Sequence, residues 1–133
     1  MANDQSKVTD RIDNMSSSSF RDLVVWQKAQ ELVIVTYQTF NSIKDYGFRD
    51  QIQRAGISVM NNIAEGYARR SDKSFRHFLL IAKGSCAEVE SMLVVAERLQ
   101  YINSEQQASL LSQAEVTGRL LSAFIRKLSA KDY

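Results

Sequence analysis

Ser71-Asp72-Lys73-Ser74-Phe75-Arg76-His77-Phe78-Leu79-Leu80-Ile81-Ala82-Lys83-Gly84-Ser85-Cys86-Ala87-Glu88-Val89-Glu90-Ser91-Met92-Leu93-Val94-Val95-Ala96-Glu97-Arg98-Leu99 is the stretch that decides the fold. Phe75, Phe78, Leu79, Ala82, Cys86, Val89, Leu93 and Ala96 recur every three or four residues, so at about 100° per residue they share one helix face. Ser71 predicts the N-cap, because its hydroxyl can accept from a backbone N–H that the first turn leaves unpaired. Leu80, Ala87, Val94 and Tyr101 repeat at heptad spacing as a second apolar face. Arg76, Lys83, Glu90 and Glu97 read as a solvated stripe between the two faces. A helix in a small bundle buries one stripe, so a second predicts a covering subunit, with Leu80, Ala87 and Val94 as the oligomer interface. The competing reading places this helix at the centre of its own bundle.

The same periodicity extends outward. Upstream, Ile52, Ala55, Gly56, Val59, Ile63 and Tyr67 form the inward side of a helix from about Phe48 or Arg49 to Ala68. A mid-helix glycine costs about 1 kcal/mol relative to alanine, so Gly56 predicts close approach by another helix. Before it, Trp26, Ala29, Val33, Thr36, Phe40 and Ile43 predict a helix from Phe20 to Asp45. Ser19 and Asp22 would form its capping box, and Gly47 would supply the break after it. Downstream, a box at Ser104-Glu105-Gln106-Gln107 opens a fourth helix ending near Ser129. Leu111, Ala114, Leu121, Phe124, Ile125 and Leu128 are its expected core positions. Residues 1–19 are polar, end in four serines and read as a disordered tail, leaving 20–133 as one domain. The fold class is therefore all-α, an antiparallel up-down-up-down four-helix bundle.

Composition agrees. The 133 residues are 44% hydrophobic and 24% charged, with no proline and five glycines, too few turn formers for most β folds of this size. No apolar run approaches the length that spans a bilayer, and the N-terminus lacks a signal peptide's apolar core. Cys86 is the only cysteine, which fits a reducing cytoplasm. A net charge of +2 permits a nucleic-acid partner without implying one.

Enzyme chemistry finds little support. His77 is the single histidine, so a triad, an Asp-His relay and a multi-histidine metal site would all depend on it. Cys86 falls on the core stripe, where a structural thiol is the expectation. Gly47, Gly56 and Gly66 are too far apart for a phosphate-binding loop. The reading is a non-enzyme with no catalytic residue, cofactor, metal or small-molecule substrate. Two polar groups carry more. Arg54, Ser58, Asn62, Glu65 and Arg69, with Gln51, share one side of the second helix. Serine and asparagine there favour a hydrogen-bonded network over a merely solvated face. Arg69, Arg70, Lys73, Arg76 and Lys83 gather around the turn between the second and third helices, as a dipole-complementing bundle end or a phosphate-contacting patch.

Three segments carry a family resemblance. Phe20-Arg21-Asp22-Leu23-Val24-Val25-Trp26-Gln27-Lys28-Ala29 resembles the opening of the bundle proteins encoded by intervening sequences of bacterial 23S rRNA genes. Gln51-Ile52-Gln53-Arg54-Ala55-Gly56-Ile57-Ser58-Val59, continuing through Asn62-Ile63-Ala64-Glu65-Gly66 to Arg69-Arg70, is the second segment. Phe78-Leu79-Leu80-Ile81-Ala82-Lys83-Gly84-Ser85 with Glu88-Val89-Glu90 is the third. Together they span about residues 20–128. One departure is Met60, where the family usually carries proline, so a straighter second helix is expected. The resemblance implies a ring-shaped homopentamer and association with 23S rRNA or another nucleic acid. The architecture is also similar to accessory proteins of diversity-generating retroelements. The competing function is a scaffold oligomer that binds a protein, such as a reverse transcriptase, without touching nucleic acid.

Overall fold

The computed structural model describes residues 19–130. The expectations for the tail before Ser19 lie outside them. A 3₁₀ turn over Phe20–Asp22 precedes α1 (Val24–Phe40), α2 (Tyr46–Ala68), α3 (Asp72–Arg98) and α4 (Ser104–Ala130). The described residues contain no strand. The protein is all-α, and its helix contacts are those of a four-helix bundle.

The second and third helices match their sequence reading closely. Ile52, Ala55, Gly56, Val59, Ile63 and Tyr67 are all buried on α2. Phe75, Leu79, Ala82, Cys86, Val89, Leu93 and Ala96 are buried on α3, and Phe78 is half-buried. Ser71 caps α3 by accepting from Ser74 N–H at 3.0 Å. α2 is continuous through Met60. α3 ends in a Schellman pair: Tyr101 N–H donates to Ala96 O and Gln100 N–H to Glu97 O. Gln100 takes the left-handed conformation this requires, φ 63°, as does Arg70 with φ 66° after α2.

The outer helices depart from expectation at their ends. Ser19 accepts from Arg21 N–H, two residues on, and Leu23 N–H closes back on Phe20 O. That tight turn replaces the expected capping box, so the helix begins at Val24. It ends at Phe40 because Asn41-Ser42 are weak helix formers and Asp45 caps the next helix, accepting from Phe48 N–H. Gly47 therefore sits within the first turn of α2 and does not break the chain. The box before α4 lies one residue earlier than expected. Asn103 Oδ1 accepts from Gln106 N–H, and Gln106 Oε1 accepts from Asn103 N–H. The core register of α4 is Leu110, Ala114, Thr117, Leu121 and Leu128, with Leu111, Phe124 and Ile125 only partly buried.

Cross-helix contacts run in opposing numerical order. Val33 faces Gly56, while Phe40 packs on Phe48. Ser58 meets Ser85, while Gly66 lies against Phe75 and Phe78. Cys86 bonds to Ala114 O, while Arg76 reaches Ser129. One end of the bundle is therefore closed by Tyr67, Phe75 and Phe124, and the other by Phe40, Phe48 and Tyr101.

Candidate nucleic-acid interface

The polar side of α2 divides into parts. Ser58 Oγ and Ser85 Oγ share a hydrogen bond of 2.8 Å, and Asn62 Nδ2 donates to Ser58 O at 2.8 Å and Ser58 Oγ at 3.1 Å. These three partly buried residues tie α2 to α3. Gln51 Nε2 adds a link to Glu88. Glu65 and Arg69 pair with each other at 2.9 Å in solvent. Arg54 stands apart, exposed beside Tyr37, Asp50 and Ile57. The expected network is thus a compact α2–α3 bridge plus an exposed ion pair.

The basic residues also divide. Arg69, Arg70 and Lys73 are exposed at the α2–α3 turn. Arg69 holds Glu65 and lies over the Phe78 ring, 4.9 Å from its centroid. Lys83 does not join them: ten residues beyond Lys73, it lies about 15 Å farther along the helix axis. It lines an open groove of about 620 Å³ between α3 and α4, together with Cys86, Glu90, Glu115, Arg119, Ser122 and Arg126. Arg76, Glu90 and Glu97 are half-buried, which corrects their reading as a fully solvated stripe. Burial raises the Glu90 pKa, and the nearby Glu115 carboxylate raises it further. Arg119 and Arg126 were missed in the sequence. Their seven-residue spacing was visible, but their meeting with Lys83 depends on how two helices pair.

α3 shows its second apolar face to solvent. Leu80, Ile81, Val94, Val95 and Leu99 each keep 41–50% of their surface exposed. They lie opposite the Leu79–Ala82–Cys86–Val89–Leu93 stripe, with exposed Gly84, Ala87 and Ser91 along the same side. The core helix reading therefore covers only half of α3.

The single cysteine and the single histidine lie in different surroundings. Cys86 is buried, donates to Ala114 O at 3.1 Å, and has its pKa pushed up to about 12, chiefly by desolvation and then by Glu90. His77 is exposed and stacks edgewise on Phe78. Among the described residues, no three His, Cys, Asp or Glu side chains gather to hold a metal, and no helix is long and apolar enough to cross a membrane.

These features define a helical-bundle protein with a bare apolar helix face and basic surfaces. The chain belongs to the 23S rRNA-intervening sequence protein family, whose pattern matches residues 21–123. It is also similar to a solved protein of unknown function from the S23 ribosomal protein family of Bacteroides thetaiotaomicron. That likeness has 30% identity and a TM-score of 0.72, covering 77% of this chain and 98% of the other. No curated protein matches the chain.

Proposed function

We propose that this chain is a non-enzymatic, cytoplasmic oligomer that associates with 23S rRNA or another nucleic acid through basic surfaces repeated around a ring. The observation that carries the reading is the exposed face of α3, Leu80, Ile81, Val94, Val95 and Leu99, on a helix whose opposite face is core. Covering it removes several large apolar side chains from water. Gly84 has no heavy atom within 4 Å of a built Cβ, so the centre of this face has room for a neighbouring helix. A ring uses two different faces of each subunit. Ile34 and Tyr37 on α1 are also exposed and can supply the second. The preference for five subunits rests on the family resemblance.

Nucleic acid is supported by the family and by Arg69, Arg70 and Lys73 exposed at one turn. The left-handed Arg70 occupies a position where glycine carries less strain. The buried, protonated Cys86 thiol and the surface His77 support the non-enzymatic part. Light scattering coupled to size exclusion should return a multiple of the 15.1 kDa chain mass. Fluorescence anisotropy should show binding to an rRNA fragment that weakens steeply with salt and varies little with sequence. A monomer at micromolar concentration overturns the assembly. An intact oligomer that binds no RNA at low salt favours the scaffold alternative, in which the apolar face seats a protein. The modest +2 charge and the Glu65–Arg69 pairing suit that alternative.

A further inference from the structure

The α3–α4 groove has a charge order of its own. Cys86 meets Ala114 O and Arg76 meets Ser129, which sets Lys83 across from the segment around Arg119 and Ser122. Lys83, Arg119 and Arg126 therefore lie on the side of the groove toward Arg76, while Glu115 and the Glu90 carboxylate sit level with Cys86, Glu90 Oε2 standing 3.8 Å from where a Gly118 Cβ would be. Glu115 and Arg119 have the spacing and order of a helix ion pair, yet they form none. Lys83 and Arg126 likewise have no carboxylate partner among the described residues.

We propose that this groove holds the sugar–phosphate backbone of a nucleic-acid strand, with Lys83, Arg119 and Arg126 on separate phosphates and Glu90 and Glu115 ending the track. The proposal rests on the nucleic-acid reading and deepens it by naming a second surface. Arg119 and Arg126 are seven residues apart, about 10.5 Å along the axis, so side chains extended in parallel reach separate phosphates. That span covers about three phosphate steps of a helically stacked strand at roughly 3.4 Å rise each, which suits a polyanion better than a mononucleotide. No aromatic ring lines the groove, so bases have no platform to stack on. Ala87 keeps the α3 side of the lining low, and the Ser122 hydroxyl can donate to a phosphate oxygen. Beyond Arg126 the track continues through Arg76 toward Lys73 and Arg70 at the turn.

The test is anisotropy of a fluorescein-labelled single-stranded RNA of about 20 nucleotides against the full chain, across a salt series. Arg119→Gln with Arg126→Gln should weaken binding by about tenfold or more at low salt. It should also flatten the salt slope by about 1.4, the loss of two single-strand phosphate contacts. Arg119→Lys with Arg126→Lys should retain most of the affinity. Glu90→Gln with Glu115→Gln should tighten binding. Lys44→Gln with Arg98→Gln removes the same charge at the opposite bundle end and should change affinity less than about twofold. Equal losses from the groove and control pairs overturn the groove while leaving the nucleic-acid reading intact. Loss confined to Arg70→Ala with Lys73→Ala does the same. A groove pair that dissociates the oligomer in light scattering marks a subunit contact and also overturns the proposal. No binding by the unaltered chain at low salt overturns the nucleic-acid reading itself, and the groove with it.

Discussion

Gly66 lies at a close approach of α2 and α3. A Cβ built there would stand 2.8 Å from Phe78 Cβ, 2.9 Å from Phe75 Cδ1 and 3.3 Å from the Phe75 carbonyl oxygen. A Cβ and a backbone oxygen cannot swing aside, so the helices must separate. Gly66→Ala should destabilise by about 1–3 kcal/mol, the usual cost of overpacking. Gly56 is different, because its added methyl would meet only Val33 Cγ2 at an ordinary 3.7 Å. Gly56→Ala should be neutral or stabilise by up to about 1 kcal/mol through helix propensity. Denaturant melts of the two variants check both signs, and matching shifts would refute the contrast. The sequence pointed to the wrong glycine. Mid-helix position marks a propensity cost, whereas close approach depends on the neighbouring helix, here the ring of Phe75 and the stem of Phe78. Thr36 is another residue whose cost pattern alone hides: it is buried on the α1 core stripe, and its hydroxyl has no hydrogen-bond partner among the described residues.

Among the elements, legibility follows the strength of local signals. The core stripes of α2 and α3 were readable because they are long and periodic, and the start of α3 was readable from its serine cap. The ends of α1 were not, because Ser19 and Asp45 each have more than one backbone N–H within reach and the sequence does not choose between them. The α3–α4 groove shows the same limit for function: each helix's charges were visible, but not their juxtaposition. That juxtaposition has a pH signature. Glu90 is a carboxyl whose folded pKa is raised, so its charged form disfavours the fold. The penalty is full above the raised pKa and disappears below the ordinary 4.5. Glu90→Gln should therefore melt higher than the parent at about pH 7, with the difference closing near about pH 4. A difference unchanged across that range would exclude the carboxylate as its source. Asp45 works in the opposite sense. Its pKa is lowered by the hydrogen bond from Tyr101 and then by Phe48 N–H, so its contribution exists above the ordinary 3.8 and fades as pH falls through the lowered value.

For the whole molecule, absent proline and regular apolar spacing were enough to give the fold class, because a bundle needs little beyond amphipathic helices and short turns. Assembly can be tested at the face that the bundle leaves bare. Leu80→Glu with Val94→Glu places charges on solvent-exposed positions of the isolated chain, so helix content should be unchanged. In an oligomer the same charges would be desolvated, and light scattering should report smaller species. Unaltered mass would remove this face from the interface. Cys86 gives the bundle a built-in clock. Its thiol is the chain's only one, lies beneath the α3–α4 seam and stays protonated. A thiol-reactive dye can modify it only when those helices part, so the labelling rate reads out seam breathing without any introduced probe. A strand seated in the groove above it would slow that clock, turning one buried side chain into a reporter of occupancy.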